Sequence, residues 1–122
     1  MLLFLVKIGS AQYSLTFCES VNNDGKALHP SNFFMISDKG SALKFLVKAD
    51  EGFKTDKMDF RIFYINESGK EEEISKLPQK LEPNWTYTWK EVVFFDSGNY
   101  RVKVYDDKGV YLTSANVNVK QQ

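Results

Sequence analysis

The sequence predicts an all-β fold, an antiparallel β-sandwich of seven to eight strands, and three observations carry that expectation. Apolar residues recur at every second position through most of the chain, the period of a strand with one buried and one wet face. Turn-forming clusters at residues 22–25, 38–40 and 106–109 interrupt the alternation at short intervals, as a sandwich requires. Aromatic residues make up 15% of the chain, with 10 Phe, 6 Tyr and 2 Trp, wide side chains suited to filling the space between two sheets.

At 122 residues and 14.1 kDa the chain is long enough to bury one core and too short for two. Residues 1–11 read as the remnant of a signal peptide. Leu2, Leu3, Phe4, Leu5 and Val6 form a short apolar run, and Gly9, Ser10 and Ala11 place small residues ahead of a cut before Gln12, the order of an export signal. Lys7 interrupts the run, and an edge strand is the alternative for this stretch. It is too short to span a membrane. Residues 12–122 are then one domain, exported to the periplasm, the cell surface or the medium.

Tyr13, Leu15 and Phe17 form one row of a first strand, which ends at the Asp24-Gly25 turn, a pair that supplies the positive φ of tight turns. A loop through His29 and Pro30 leads to a strand at residues 33–36. In residues 42–49, Leu43, Phe45 and Val47 alternate with Lys44 and Lys48, so one face is buried and the other charged. Residues 58–65 are apolar on both faces, Phe60, Ile62 and Tyr64 on one and Phe63 and Ile65 on the other, as in a central strand or one whose outer face is covered. The hydrophilic stretch 66–73 turns at Ser68-Gly69 and carries Glu71, Glu72 and Glu73. Pro78 and Pro83 exclude a long helix after it, leaving an edge strand near residues 74–77 with an acidic, aggregation-resistant rim.

The stretch Asp96, Ser97, Gly98, Asn99, Tyr100 leads into the alternating Arg101, Val102, Lys103, Val104, Tyr105. This resembles the tyrosine corner of immunoglobulin-like domains, in which the Tyr hydroxyl bonds to backbone a few residues upstream. From Trp85 onward the chain resembles the last three strands of such domains, including the polycystic-kidney-disease-type modules of secreted bacterial proteins. The resemblance implies an immunoglobulin-like sandwich with Asp96, Gly98 and Tyr100 as a structural corner. It also implies inward residues four, seven and nine positions before Asp96, namely Val92, Trp89 and Tyr87. Glu91 then turns outward through a local irregularity. Antibody-type domains carry a cysteine where Val102 stands here and another near Phe45 or Val47. Both are absent, which favours a bacterial or fibronectin-like branch.

Lys plus Arg and Asp plus Glu both number 16, so no overall field draws nucleic acid or an anionic membrane. Cys18 is the only cysteine and His29 the only histidine. The first reads as a small buried hydrophobe and the second as an exposed loop residue. Asp24, Asp38, Asp50, Glu51, Asp56, Asp59, Asp106 and Asp107 are spread over loops without the alternating spacing of a calcium loop. No phosphate-binding, paired-His or nucleophile-elbow motif is present. The sequence therefore calls for no catalytic residue, metal or cofactor, and predicts a non-catalytic binding or structural module.

Three candidate roles remain open. A protein partner could add to a free sheet edge at residues 111–119, where Thr113, Asn116 and Asn118 point outward and no charge precedes Lys120. A carbohydrate could stack on Trp85, Tyr87 and Trp89, although the implied spacing assigns Tyr87 and Trp89 to the core and only Trp85 to the surface. A small hydrolase would need two carboxylates facing each other across a cleft.

Overall fold

The computed structural model describes residues 12–122; the expected signal remnant at residues 1–11 lies outside them. The described chain runs through β1 (Tyr13–Cys18), β2 (Ser20–Val21), β3 (Ala27–Leu28), β4 (Phe33–Ile36), β5 (Ser41–Ala49), β6 (Lys57–Ile65), β7 (Glu71–Lys80), β8 (Tyr87–Phe94), β9 (Gly98–Asp106) and β10 (Tyr111–Gln121). A three-stranded sheet, β1-β5-β8, faces a five-stranded sheet, β4-β10-β9-β6-β7. All neighbours pair antiparallel except β4 and β10, which are parallel.

The inward rows meet between the sheets. Phe45, fully buried in the middle strand β5, packs its ring 5.2 Å from Phe17, 5.8 Å from Phe60 and 6.0 Å from Phe94. Such aromatic contacts add about 0.5–1.5 kcal/mol each beyond area burial, and these tie both sheets to one centre. Val102 and Val104 of β9 fill the opposite layer. The β6 strand is interior, between β9 and β7. Its outer apolar residue Phe63 is covered by the Lys103 ammonium, 4.6 Å from the ring centroid.

The small β2–β3 hairpin is an element that strand periodicity does not reveal. Asn22 makes its turn, its Oδ1 accepting from the backbone N–H of Asp24 at 2.8 Å and of Lys26 at 3.0 Å. The hairpin lies against β1 and β5 on the outer side of the three-stranded sheet. On that side Cys18 and Leu46 are fully buried yet belong to no part of the inter-sheet core. Burial raises the Cys18 thiol above its ordinary pKa.

Three sequence expectations are corrected. The edge strand is longer than residues 74–77 and takes in the acidic run itself, since β7 extends over Glu71–Lys80. Pro78 fits within β7 because an edge strand has one side without a ladder. The β10 strand is an edge over only part of its length: β9 flanks it on one side, and β4 pairs with Asn118–Gln121 on the other, which leaves residues 111–117 without a strand on that side among the described residues. Within β10, Asn116 and Asn118 face outward as expected, but Thr113 lies opposite Val104 and shares the inward phase. A register shift between Tyr111 and Thr113 changes the phase there.

Candidate functional site

The corner forms as the sequence implies. The Tyr100 hydroxyl donates to the backbone carbonyl of Asp96 at 2.8 Å, and the ring packs 5.0 Å from Phe94 and 5.7 Å from Tyr64. A Cβ on Gly98 would lie 2.7 Å from the Tyr64 ring, so the smallest residue is needed where the chain enters β9. Burial raises the Tyr100 pKa, and Asp96 and Tyr64 add to the effect. The corner is structural and presents no reactive group.

The aromatic row is placed differently from the implied spacing. The pairing of β8 with β5 is unbroken from Tyr87 opposite Lys48 to Phe94 opposite Ser41. Plain alternation therefore sends Tyr87, Trp89, Glu91 and Val93 outward together, with no irregularity before the corner. Trp89 is 42% exposed and not core, while Thr88 beside it is 5% exposed. Thr88 can occupy an inward position because the Gln79 amide donates to its hydroxyl at 2.8 Å. The Lys90 ammonium, on the same phase, reaches the Pro78 carbonyl at 3.0 Å. At a sheet edge the inward phase opens toward the seam between the sheets, where polar side chains find partners. Polar Thr88 and Lys90 thus conceal that phase in the sequence.

Tyr87 is neither core nor platform. Its hydroxyl donates to the Asn23 carbonyl at 3.0 Å, and its ring lies against Gly25, where a Cβ would come within 2.5 Å. Gly25 also has a φ of 78°, so both conformation and space require glycine. Tyr87 clasps the β2–β3 hairpin onto the sheet.

Trp85 and Trp89 remain free at the surface, 40% and 42% exposed. They border an open groove of about 490 Å³ whose other walls are Gln79, Asn84, Thr86, Tyr87 and Thr88. The Lys44 ammonium lies 5.2 Å from the Trp89 ring centroid and 2.6 Å from the Glu91 carboxylate, which steadies the indole from one side. Gln79 Nε2 also donates to the Trp89 carbonyl at 3.1 Å. That bond occupies part of the β8 edge, while Lys90 occupies the facing edge of β7, so strand addition at this seam is obstructed.

Most of the remaining sequence candidates stay apart. Asp24, Asp38, Asp50, Glu51, Asp56 and Asp107 are exposed; Asp50 and Glu51 share one turn, and Asp56 and Asp107 line one open depression together with Lys57 and Lys80. Asp106 Oδ1 accepts from the N–H groups of Lys108 and Val110, at 2.8 and 2.9 Å, within its own turn. Among the described residues no three His, Cys, Asp or Glu side chains gather as metal ligands. His29 is exposed in its loop.

Neither a family model nor a curated protein matches the sequence. Among solved structures, the chain is similar to an immunoglobulin-like protein from Pseudomonas aeruginosa at a TM-score of 0.56 and 11% identity, over 91% of this chain and 98% of that one. The fold is an immunoglobulin-like β-sandwich. A CARDB domain from Pyrococcus furiosus, determined in complex with di-metal ions, aligns at a TM-score of 0.46 and 14% identity, over 94% of this chain and all of that one. These likenesses concern the path of the backbone, and the identity of any ligand rests on this chain's own residues.

Proposed function

We propose that this immunoglobulin-like domain is a non-catalytic binding module that takes a neutral carbohydrate chain in the groove between Trp85 and Trp89. The supporting observation is the composition of the groove wall: two exposed indoles, amides from Gln79 and Asn84, hydroxyls from Thr86, Tyr87 and Thr88, and no carboxylate or ammonium. Indole faces give sugar rings apolar contact with little rotamer entropy to lose, and amides and hydroxyls match sugar hydroxyls as donors and acceptors. In the same reading the protein is exported, on the strength of the Leu2–Val6 run and the small residues that follow. Contact with a protein suits the opposite face of the sandwich better, where the charges lie.

Titrating tryptophan emission against a panel of neutral soluble polysaccharides tests the assignment. At least one should shift the emission, and Trp85→Ala and Trp89→Ala should each abolish the response while keeping the parent's unfolding midpoint. A parent that responds to no member of the panel, or variants that bind as the parent does, would overturn it.

A further inference from the structure

Across the outer face of the five-stranded sheet, Lys103 of β9 stands directly opposite Arg61 of β6, and Arg61 directly opposite Lys76 of β7. Like charges at directly paired positions oppose sheet formation. Three cations in one cross-strand row are therefore not what folding stability alone would select. Arg101, two residues from Lys103 on β9, adds a fourth.

The acids on this face answer the row only in part. Glu71 accepts from Arg101 and, at 3.0 Å, from Lys103, and those two cations hold its carboxyl below the ordinary glutamate range. Asp59 lies 3.9 Å from Lys76, and Glu73 sits at the β7 rim opposite Phe63. Arg61, in the middle of the row, is held by an aromatic face alone: its guanidinium carbon lies 4.4 Å from the Tyr105 ring centroid. Its Nε is buried and has no hydrogen-bond partner among the described residues. Beside it a broad depression of about 670 Å³ is walled by Arg101, Lys103, Tyr105, Tyr111, Ser114 and Asn116.

We propose that this face docks an acidic segment of a partner protein, whose carboxylates enter the Lys103-Arg61-Lys76 row. Charge complementarity sets the sign of the partner, because the cations outnumber the acids that answer them. The kind of partner follows from the residue types. Arg and Tyr are the side chains that anchor protein interfaces, combining large contact area with charge-assisted hydrogen bonds. Here Arg61 and Arg101 alternate with Tyr105 and Tyr111, and Tyr105 and Tyr111 brace each other at 6.1 Å. The site lies on the sheet opposite the Trp85–Trp89 groove and does not depend on that reading.

An NMR titration of backbone amides, with an oligoglutamate peptide as the probe and heparin and inorganic phosphate as comparison arms, tests the proposal. The peptide should give saturable shifts centred on Arg61, Lys103 and Tyr105 that weaken as salt is raised. Arg61→Gln should weaken binding about tenfold or more without lowering the unfolding midpoint, since it relieves a like-charge row. Lys76→Gln, at a largely exposed position, should also weaken binding. Lys48→Gln on the other sheet should leave it unchanged. Shifts scattered over surface lysines, affinity in Arg61→Gln and Lys76→Gln equal to the parent's, or saturation by heparin or phosphate but not by the peptide would each overturn it.

Discussion

Tyr100 and Tyr87 do the same chemical job in two regions of the molecule, each donating its hydroxyl to a backbone carbonyl that a loop would otherwise leave to water. Tyr100 reaches Asp96, four residues upstream, at 2.8 Å. Tyr87 reaches Asn23, 64 residues away, at 3.0 Å. The first bond secures the entry to β9 within the core. The second holds a surface hairpin on the outer side of the other sheet. One bond is written into a five-residue motif, and the other exists only once β1, β5 and β8 have assembled.

The comparison is broken most forcefully at the glycine beneath the Tyr87 ring. Gly25→Ala would force a side chain into a φ of 78° and against the Tyr87 ring. We expect a cost of about 2–4 kcal/mol if the hairpin stays in place. If the hairpin detaches instead, the loss is local and Cys18 becomes accessible. Chemical unfolding combined with the rate of Cys18 modification by a thiol reagent separates these outcomes. An unchanged midpoint with a still-unreactive thiol would show that Tyr87 does not clasp Gly25.

Removing the hydroxyls alone sharpens the contrast. Tyr100→Phe should lower stability by about 1–2 kcal/mol, because the hydroxyl of a buried ring makes the bond that ties the corner to the core. Tyr87→Phe should cost about 0.5 kcal/mol, because the exposed Asn23 carbonyl can turn to water. Its clearer sign is faster labelling of Cys18 through local opening of the hairpin. Equal losses from the two substitutions would mean that global stability does not distinguish corner from clasp.

The difference between these regions also explains how much was legible. The sequence predicts the sandwich, the two apolar faces of β6 and the Asp96–Tyr100 corner because these depend on local alternation or on a short motif. The β2–β3 hairpin escapes it because each strand is two residues long, too short to show a period, and because its support comes from Tyr87. The phase of β8 escapes it because Thr88 and Lys90 look like surface residues and Trp89 like core. Their true placement follows from partners on β7, the preceding strand, which lies in the other sheet and meets β8 only across the seam. The open edge expected at residues 111–119 is shortened rather than whole because a parallel pairing of β4 with Asn118–Gln121 joins two segments distant in the sequence. For the candidate site, Trp85, Tyr87 and Trp89 are visible in the sequence as a row, but the division between one clasping ring and two free ones is a property of the assembled sheet.

A smaller effect distinguishes the two outer faces. Glu71 joins β7 to β9 through Arg101 and Lys103, which lower its pKa, whereas the three-stranded sheet is covered by the hairpin and its tyrosine. A carboxyl whose folded pKa lies below its unfolded value contributes stability fully present above the ordinary value of 4.5 and lost as pH falls through the folded pKa. In Glu71→Gln this part of the acid dependence should be absent, so the gap between parent and variant should narrow on acidification. Midpoints measured from neutral pH down to the parent's acid transition check this. A gap that stays constant would sever Glu71 from the pH dependence.

The smallest expected effect is also the one that decides between the two accounts of β8. If Trp89 were core, as the spacing before Asp96 implies, Trp89→Ala would cost about 3–5 kcal/mol through lost burial and the cavity left behind. With Trp89 42% exposed on the outer phase, the variant loses partial coverage of Lys44 and Leu46, and the cost should stay below about 1 kcal/mol. Phe94→Ala, from the inward phase of the same strand, supplies the comparison and should cost several times more, since the Phe94 ring contacts both Phe45 and Tyr100. Unfolding midpoints of the two variants suffice. If Trp89→Ala unfolds as readily as Phe94→Ala, the phase of β8 is wrong and the groove proposed to take a sugar chain does not exist in solution. If Trp89→Ala folds as the parent does, the indole is free of the core and available to a ligand.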